Sequence, residues 1–563
     1  MKCLIVVSVL LCACVMLSIR AEEYDYFSDS TKCSHFISPS NEKPIADWPK
    51  AKDTVPALGD GDLELIKKGL KNSKDLDKLL SGYVDRMLGS YSKEYKWPEG
   101  FVEFLKKNKV EMEIFVTAID PRYDDPGLAA AIMEELRSAD EAKLKKYVHM
   151  ATALAVVYDH PDSATTGRFL CNWGWGMEQF QKEATYKDNW DFYTDAKNQP
   201  RFVFQLEKLP WPILIHLVNN DTSAEERQWV FSKYPANTDI KGLYSSVPYD
   251  YSKKGGESKL GKRPYTLANI LQYGGVCADQ AQFSSRTART LGVPSMVCGS
   301  ESNVGSGHSF MGYLVMAGNK PKLEFTGRYF GRHYYTGDCY DYQRRRFYQD
   351  RIVAMLYDGV ALSYPKYNQS QMMIRMAKAI FDEHPAESLT LVQEGLRLNY
   401  FNVLGWPLLM QHIEKGKLSK SEGLKWFNEM LRVLKEHPDM TAYCLKTFVK
   451  CISEDDVTAR NSLYEQASKL YKERPDLLVT LRMAQGAMLE KAGKKLEAVN
   501  VYVTCFGECA DEGVRVLPAV QNAVKLAVEL NVKKPVSDSL KKSETRLPKE
   551  CYGDYKKLVD QLK

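Results

Sequence analysis

The sequence lacks a large excess of either charge. Its 563 residues carry 77 Lys and Arg against 72 Asp and Glu, a formal net charge of +5. That balance excludes bulk electrostatic binding of nucleic acid, which needs a concentrated cationic surface. The one notable arginine run, Arg344 to Arg346, is read as a solvated loop. Beyond the first residues no apolar stretch is long enough to span a bilayer, so no membrane span is expected. There are 13 cysteines but no Cys-x2-Cys pair, so zinc-site spacing is missing and no metal or cofactor is expected. Asp60-Gly-Asp-Leu-Glu64 opens like a calcium loop. The later ligands and closing Glu of such a loop are absent, and the stretch reads as a helix cap.

What is present starts with an export signature. Lys2 precedes an apolar run from Leu4 to Leu17, and Ile19-Arg20-Ala21 is followed by Glu22 and Glu23. A positive charge, an apolar core and a small residue at the cut define a cleaved secretory signal over residues 1–21, giving a secreted or periplasmic protein. Leu11-Cys12-Ala13-Cys14 offers a second route, a lipid anchor at Cys14, but the apolar run continues past it. An oxidising compartment permits disulfides. Cys444/Cys451 and Cys505/Cys509 are close enough in sequence to consider.

Composition then divides the chain. Residues 22–60 are a polar, extended leader. Residues 61–160 are helical: Leu65, Ile66, Leu70, Leu76, Leu79, Leu80, Val84 and Leu88 recur at helical spacing. His149 and His160 there are packing or capping residues. Residues 161–350 begin aromatic-rich, with Trp173, Trp175, Trp190, Phe192, Trp211 and Trp229. Core packing is their commoner use; a carbohydrate-reading groove is the alternative. Ser252 to Pro264, rich in Lys and Gly, is read as a flap upstream of the motifs described next. Residues 351–563 are helical throughout. Phe381-Asp-Glu-His-Pro385, Leu434-Lys-Glu-His-Pro438 and Tyr471-Lys-Glu-Arg-Pro475 each end one amphipathic helix and start another. This is an α-helical hairpin array resembling tetratricopeptide-type repeats, a form suited to binding a protein partner.

Three motifs carry chemistry. Tyr273-Gly-Gly-Val-Cys-Ala-Asp-Gln-Ala281 places Cys277 where a Gly-Gly turn feeds a helix over Ala278 to Leu291. Backbone N–H groups at a helix start stabilise a thiolate. Arg289-Thr-Leu-Gly-Val-Pro294 leads out of that helix, and Gly305-Ser-Gly-His-Ser-Phe310 puts His308 ahead of a strand from Ser309 to Met316. A thiol nucleophile needs such a base, and the base needs an orienting group. Glu324 on the next strand is the first candidate, with Asp338 and Asp341 in reserve. The Cys277 N–H and the side chain of Gln272 are the oxyanion candidates.

Taken together and in order, these motifs resemble the transglutaminase-like superfamily over roughly residues 265–343. Cys277, Leu291-Gly-Val-Pro294 and His308 match it residue by residue, and more loosely the whole resembles exported bacterial multidomain proteins. Phe310 stands where the family commonly has Trp, and Glu324 where it has Asp. The resemblance implies a mainly α chain with a central α+β papain-like core. It also implies acyl transfer through a Cys277 thioester: a cysteine protease, amidase or acyltransferase acting on a protein or peptide substrate. The superfamily also holds inactive relatives, so a non-catalytic scaffold binding proteins or envelope components is the alternative.

Overall fold

The computed structural model describes residues 56–160 except 71, and 184–563 except 305, 306, 319, 330 and 332. The export signal, Cys14, nearly all of the leader, Trp173 and Trp175 lie outside these residues. The protein is mainly α-helical with one small sheet held between helices.

The N-terminal helices form because the sequence supplies both caps and apolar stripes. Asn72 accepts from the Asp75 N–H at 2.9 Å and starts the helix Ser73–Glu94. Its buried face, Leu79, Leu80, Tyr83, Val84, Met87, Leu88 and Tyr91, follows helical spacing. Asp125 caps the helix Pro126–Ala139, whose proline occupies the first turn, where its missing N–H costs nothing. The calcium-like stretch is indeed a helix start: Asp62 accepts from Gly59 N at 2.9 Å. His149 lies edge-on to Tyr364 at 4.8 Å, and burial pulls its pKa down to about 4. His160 contacts the Tyr123 carbonyl at 2.7 Å.

The described part of the aromatic segment goes into packing. Trp190 is buried against Tyr147, and Phe192 stacks on Phe231 at 5.5 Å while meeting Phe202 edge-on. The Trp190 and Phe192 rings are thereby committed to neighbours rather than to a groove.

Five antiparallel strands make the sheet: β1 (Ser295–Glu301), β2 (Gly307–Ala317), β3 (Lys320–Thr326), β4 (Asp338–Asp341) and β5 (Arg346–Gln349), in the order β3-β2-β1-β4-β5. Alternation along a strand gives the sheet two faces. One face, carrying Ser295 and Val297, packs on the helix Cys277–Thr290: Ser285 and Ser295 hydroxyls are 3.2 Å apart, and Val297 clusters with Ala281 and Tyr244. The other face carries Phe310, with Arg328 stacked 4.4 Å from its ring and 4.2 Å from that of Phe325. Arg328 forms a fully buried ion pair with Asp350, the first residue of the helix Asp350–Leu362.

The arginine run is not a solvated loop. Arg344 pairs with Asp341 at 2.9 Å and Arg345 lies 3.8 Å from the buried Asp159, both guanidinium groups partly buried. The Arg345 pair joins the sheet to the N-terminal helices while the Arg344 pair closes the β4–β5 hairpin, so a charge run that looks superficial in sequence serves as an internal junction.

From Pro385 onward the chain is helical. His384, His437 and Arg474 each precede a proline that opens a helix: Pro385–Leu398, Pro438–Phe448 and Pro475–Lys491. Gly486 lets the last of these approach the helix Lys495–Cys509, because a Cβ there would stand 2.3 Å from the Tyr502 ring. A second hydrophobic core, from Val479 to Leu562, belongs to these final helices. Among the described residues no helix is long and apolar enough to cross a membrane.

Candidate functional site

The site is built around a turn that only glycine can make. Gly274 has φ +79°, and a Cβ on it would stand 2.4 Å from the Pro248 carbonyl oxygen. A Cβ on Gly275 would meet Asp279 at 2.3 Å. The turn is held by Gly275 N–H to Pro248 O at 3.0 Å and Asp250 N–H to Gly275 O at 2.9 Å. Tyr249 is thereby laid against the start of the helix Cys277–Thr290. Cys277 is the first residue of that helix and partly exposed.

Asp279, in the same motif, organises the helix start. Its carboxylate accepts from Val276 N–H at 2.8 Å, from the Tyr265 hydroxyl at 2.8 Å, and from Lys253 Nζ at 2.9 and 2.7 Å. Lys253 and Asp279 are both buried, so the attraction acts with little screening and neither charge stands uncompensated. Ser252 to Pro264 was expected to be a flap; Lys253 instead pins that loop to the cysteine motif. Sequence reading gave Asp279 and Lys253 no role, although Asp279 stands two residues after the cysteine.

His308 is the second residue of β2 and is buried. Its Nε2 lies 2.6 Å from the Gly327 carbonyl, which can only accept, so Nε2 carries a proton and donates it there. The imidazole lies between the rings of Tyr334 and Tyr329, at 4.7 and 5.0 Å between centroids. Gly327 has φ +77°, and a Cβ on it would stand 2.4 Å from the Tyr244 ring. Tyr244 donates to the Ser309 carbonyl at 2.7 Å, bracing the backbone beside the histidine.

Tyr244 also connects the two halves of the site. Burial pushes its hydroxyl pKa far up, and the next contributions come from the Cys277 thiol, Tyr329, Tyr249 and Tyr334. The Tyr249 hydroxyl is pushed up to about 12 by burial and then by Cys277. Tyr244 packs with Ala281 of the Cys277 helix and donates to the Ser309 carbonyl next to His308, while His308 itself has the register of Phe310 and emerges on the face of the sheet opposite the one this helix covers.

Glu324, expected to orient the imidazole, does not reach it. It faces Tyr313 in the β2–β3 register, an odd number of positions from His308 and so on the opposite face of the sheet, and its side chain is exposed. Asp338 faces Gly299, which in turn faces Ser309, again on the other face from His308. Asp341 is taken up by Arg344. The acceptor on the imidazole is a backbone oxygen, which no residue-type signal in a sequence could have marked. Gln272 is exposed on the helix Leu267–Tyr273, two residues before Gly274, whereas the buried Gln280 donates to Val247 O at 2.8 Å.

The C-terminal helices supply part of the rim. Asn303, in the loop leading into β2, donates to the Asp511 carbonyl at 2.7 Å. The buried Glu512 carboxylate receives the Tyr335 hydroxyl at 2.8 Å and meets His333 Nδ1 at 2.8 Å. Tyr334, which flanks His308, lies between those two anchors. Among the described residues no cluster of His, Cys, Asp and Glu has the makings of a metal site. The chain matches no family model, no curated protein and no solved structure.

Proposed function

We propose that the protein is a thiol-dependent acyl-transfer enzyme of transglutaminase-like type, hydrolysing or transferring a peptide or carboxamide acyl group. What supports this reading is Cys277 at a helix start, His308 held by the Gly327 carbonyl, and Tyr244 packed on Ala281 of the cysteine helix while bracing Ser309 beside the histidine. In the proposed reaction Nδ1 of His308 takes the Cys277 proton and the sulfur attacks the carbonyl carbon. The imidazolium then protonates the leaving ammonia or amine as the C–N bond breaks, leaving a thioester. Water, or an acceptor amine, attacks the thioester carbon while His308 takes its proton. The C–S bond breaks and the thiol is restored. The Cys277 N–H is the oxyanion donor in this scheme. Export through residues 1–21 and capture of a protein partner by the C-terminal array belong to the same reading.

The test is to incubate the mature chain with a panel of peptide and glutamine amides and measure released ammonia, new termini and amine incorporation. Loss of turnover in Cys277→Ala with an unchanged fold supports the reading. Undiminished turnover in that variant sinks it.

One observation favours a second reading, a scaffold without turnover. A carbonyl on Nε2 stabilises an imidazolium less than a carboxylate would, so the pair is less strongly biased toward thiolate. Binding of an acyl-amide substrate without turnover by the native chain would select this reading.

A further inference from the structure

Cys298 and Cys339 stand directly opposite one another on adjacent antiparallel strands, β1 and β4. Directly opposed residues in such a ladder have Cα atoms ~4.5 or ~5.5 Å apart, depending on the hydrogen-bonding class of the pair. Both values fall within the span a disulfide bridges, roughly 4.4–6.8 Å. Opposed side chains also emerge on the same face of the sheet. Both residues are buried, and in the structure both are thiols. Neither belongs to the acyl-transfer scheme.

Their position gives a link between them a consequence. β1 is paired with β2 over seven residue pairs but with β4 over only two, Cys298↔Cys339 and Gly299↔Asp338. That short ladder is the seam between the strands carrying His308 and the β4–β5 hairpin. The hairpin side supports the site: Ser300, which faces His308 in the β1–β2 register, bonds the Thr336 carbonyl, and Gly337 packs against Phe310.

We propose that Cys298 and Cys339 form a cross-strand disulfide that locks the β1–β4 seam under oxidising conditions. The oxidant is a low-molecular-weight disulfide. One cysteine thiolate attacks a sulfur of that disulfide, giving a mixed disulfide and one released thiol. The second cysteine thiolate then attacks the protein sulfur of the mixed disulfide, closing Cys298–Cys339 and releasing the second thiol. Two protein thiols are oxidised and one small disulfide is reduced. Because both sulfurs are shielded in the finished fold, the exchange proceeds while the sheet assembles or when the seam opens.

The experiment refolds the full chain in a buffer of oxidised and reduced glutathione. Free thiols are alkylated in denaturant without reductant, and the peptides are mapped. The expected result is one linked species joining the Cys298 and Cys339 peptides, with Cys444, buried on the helix Pro438–Phe448, alkylated as the internal control. Alkylation of both Cys298 and Cys339, or a link from Cys298 to any other cysteine, overturns the proposal. A second measurement compares thermal unfolding with and without reductant. The native midpoint falls on reduction, while that of Cys298→Ala or Cys339→Ala does not move. An equal fall in those variants also overturns it. If either variant fails to fold, the mapping of the native chain still decides.

Discussion

His308 donates from Nε2 to the carbonyl oxygen of Gly327 at 2.6 Å, and that acceptor is backbone. The orientation of the imidazole is thus set by the path of the chain leaving β3 rather than by a carboxylate. Gly327 follows that path because of its positive φ and because the Tyr244 ring occupies the space a side chain would need. Replacing Gly327 by Ala forces either the backbone or Tyr244 to move, at a cost of ~1–3 kcal/mol. The displaced carbonyl then no longer orients the imidazole. Alkylation of Cys277 in Gly327→Ala is expected to slow by about a hundredfold, the low end of what a positioned acid–base group contributes. Glu324→Gln leaves the rate unchanged. A comparable loss in Glu324→Gln would restore a carboxylate role that the register denies it.

The proposed pairing of Cys277 with His308 has its own signature in pH. A thiol assisted by a helix start and an imidazole reacts with iodoacetamide well below the ordinary thiol range of ~8.5. The rate profile of Cys277 is expected to rise below that value in the native chain and to return toward it in His308→Ala. Peptide mapping assigns the label. A profile identical in the two proteins would remove His308 as the base.

Lys253 and Asp279 make a more direct stability prediction. Removing one member of a buried ion pair leaves the other charge uncompensated, at a cost of ~3–5 kcal/mol. Lys253→Met strands the Asp279 carboxylate, although Val276 N–H and the Tyr265 hydroxyl still reach it. Two effects are expected: a lower urea midpoint, and earlier proteolytic cutting between Ser252 and Pro264 as the loop loses its pin. An uncut loop in a destabilised protein would mean that the loop is held by other contacts.

Parts of this arrangement are legible in the sequence, and parts are not. The helix anticipated at Ala278 to Leu291 is observed as Cys277–Thr290, and the strand anticipated at Ser309 to Met316 as Gly307–Ala317. Both rest on local signals: a glycine turn before a helix, and alternation of apolar residues. The face on which Glu324 emerges is not local, because it depends on register, and a shift by one residue moves every side chain to the other face. The Lys253–Asp279 pair and the docking of Glu512 on Tyr335 and His333 join separate parts of the chain, and neither leaves a motif. The arginine run misleads for a related reason: a sequence displays charge but not the buried groups beside it, here Asp341 at Arg344 and Asp159 near Arg345.

Those buried carboxylates set the pH dependence of stability. Asp124 accepts from Asp120 N–H and from Gln343, and burial pushes its pKa up to about 8. Asp120 and Asp159 are the carboxylates beside it, and Arg344 is the opposing cation. Burial, with Asp124 next to it, likewise raises Asp159. Groups with a raised folded pKa bind protons in the native chain at pH values where the unfolded chain, at ~3.9, does not. Their contribution is full at low pH and is lost as pH rises through about 8. His149, His216 and His412 act the other way: burial lowers each to about 4. Their contribution is present above the unfolded value of ~6.5 and is lost as pH falls toward the folded one. Acidifying from about pH 8 to the histidine range therefore stabilises the protein, and further acidification destabilises it, with the maximum near pH ~6.5. Urea midpoints across this range test the shape. Asp124→Asn, neutral at every pH, is expected to flatten the alkaline limb and to steepen the acidic one, because the native Asp124 goes on stabilising the fold down to the unfolded value of ~3.9. If the native chain is as stable at pH ~8 as at ~6.5, Asp124 and Asp159 do not carry the protons assigned to them.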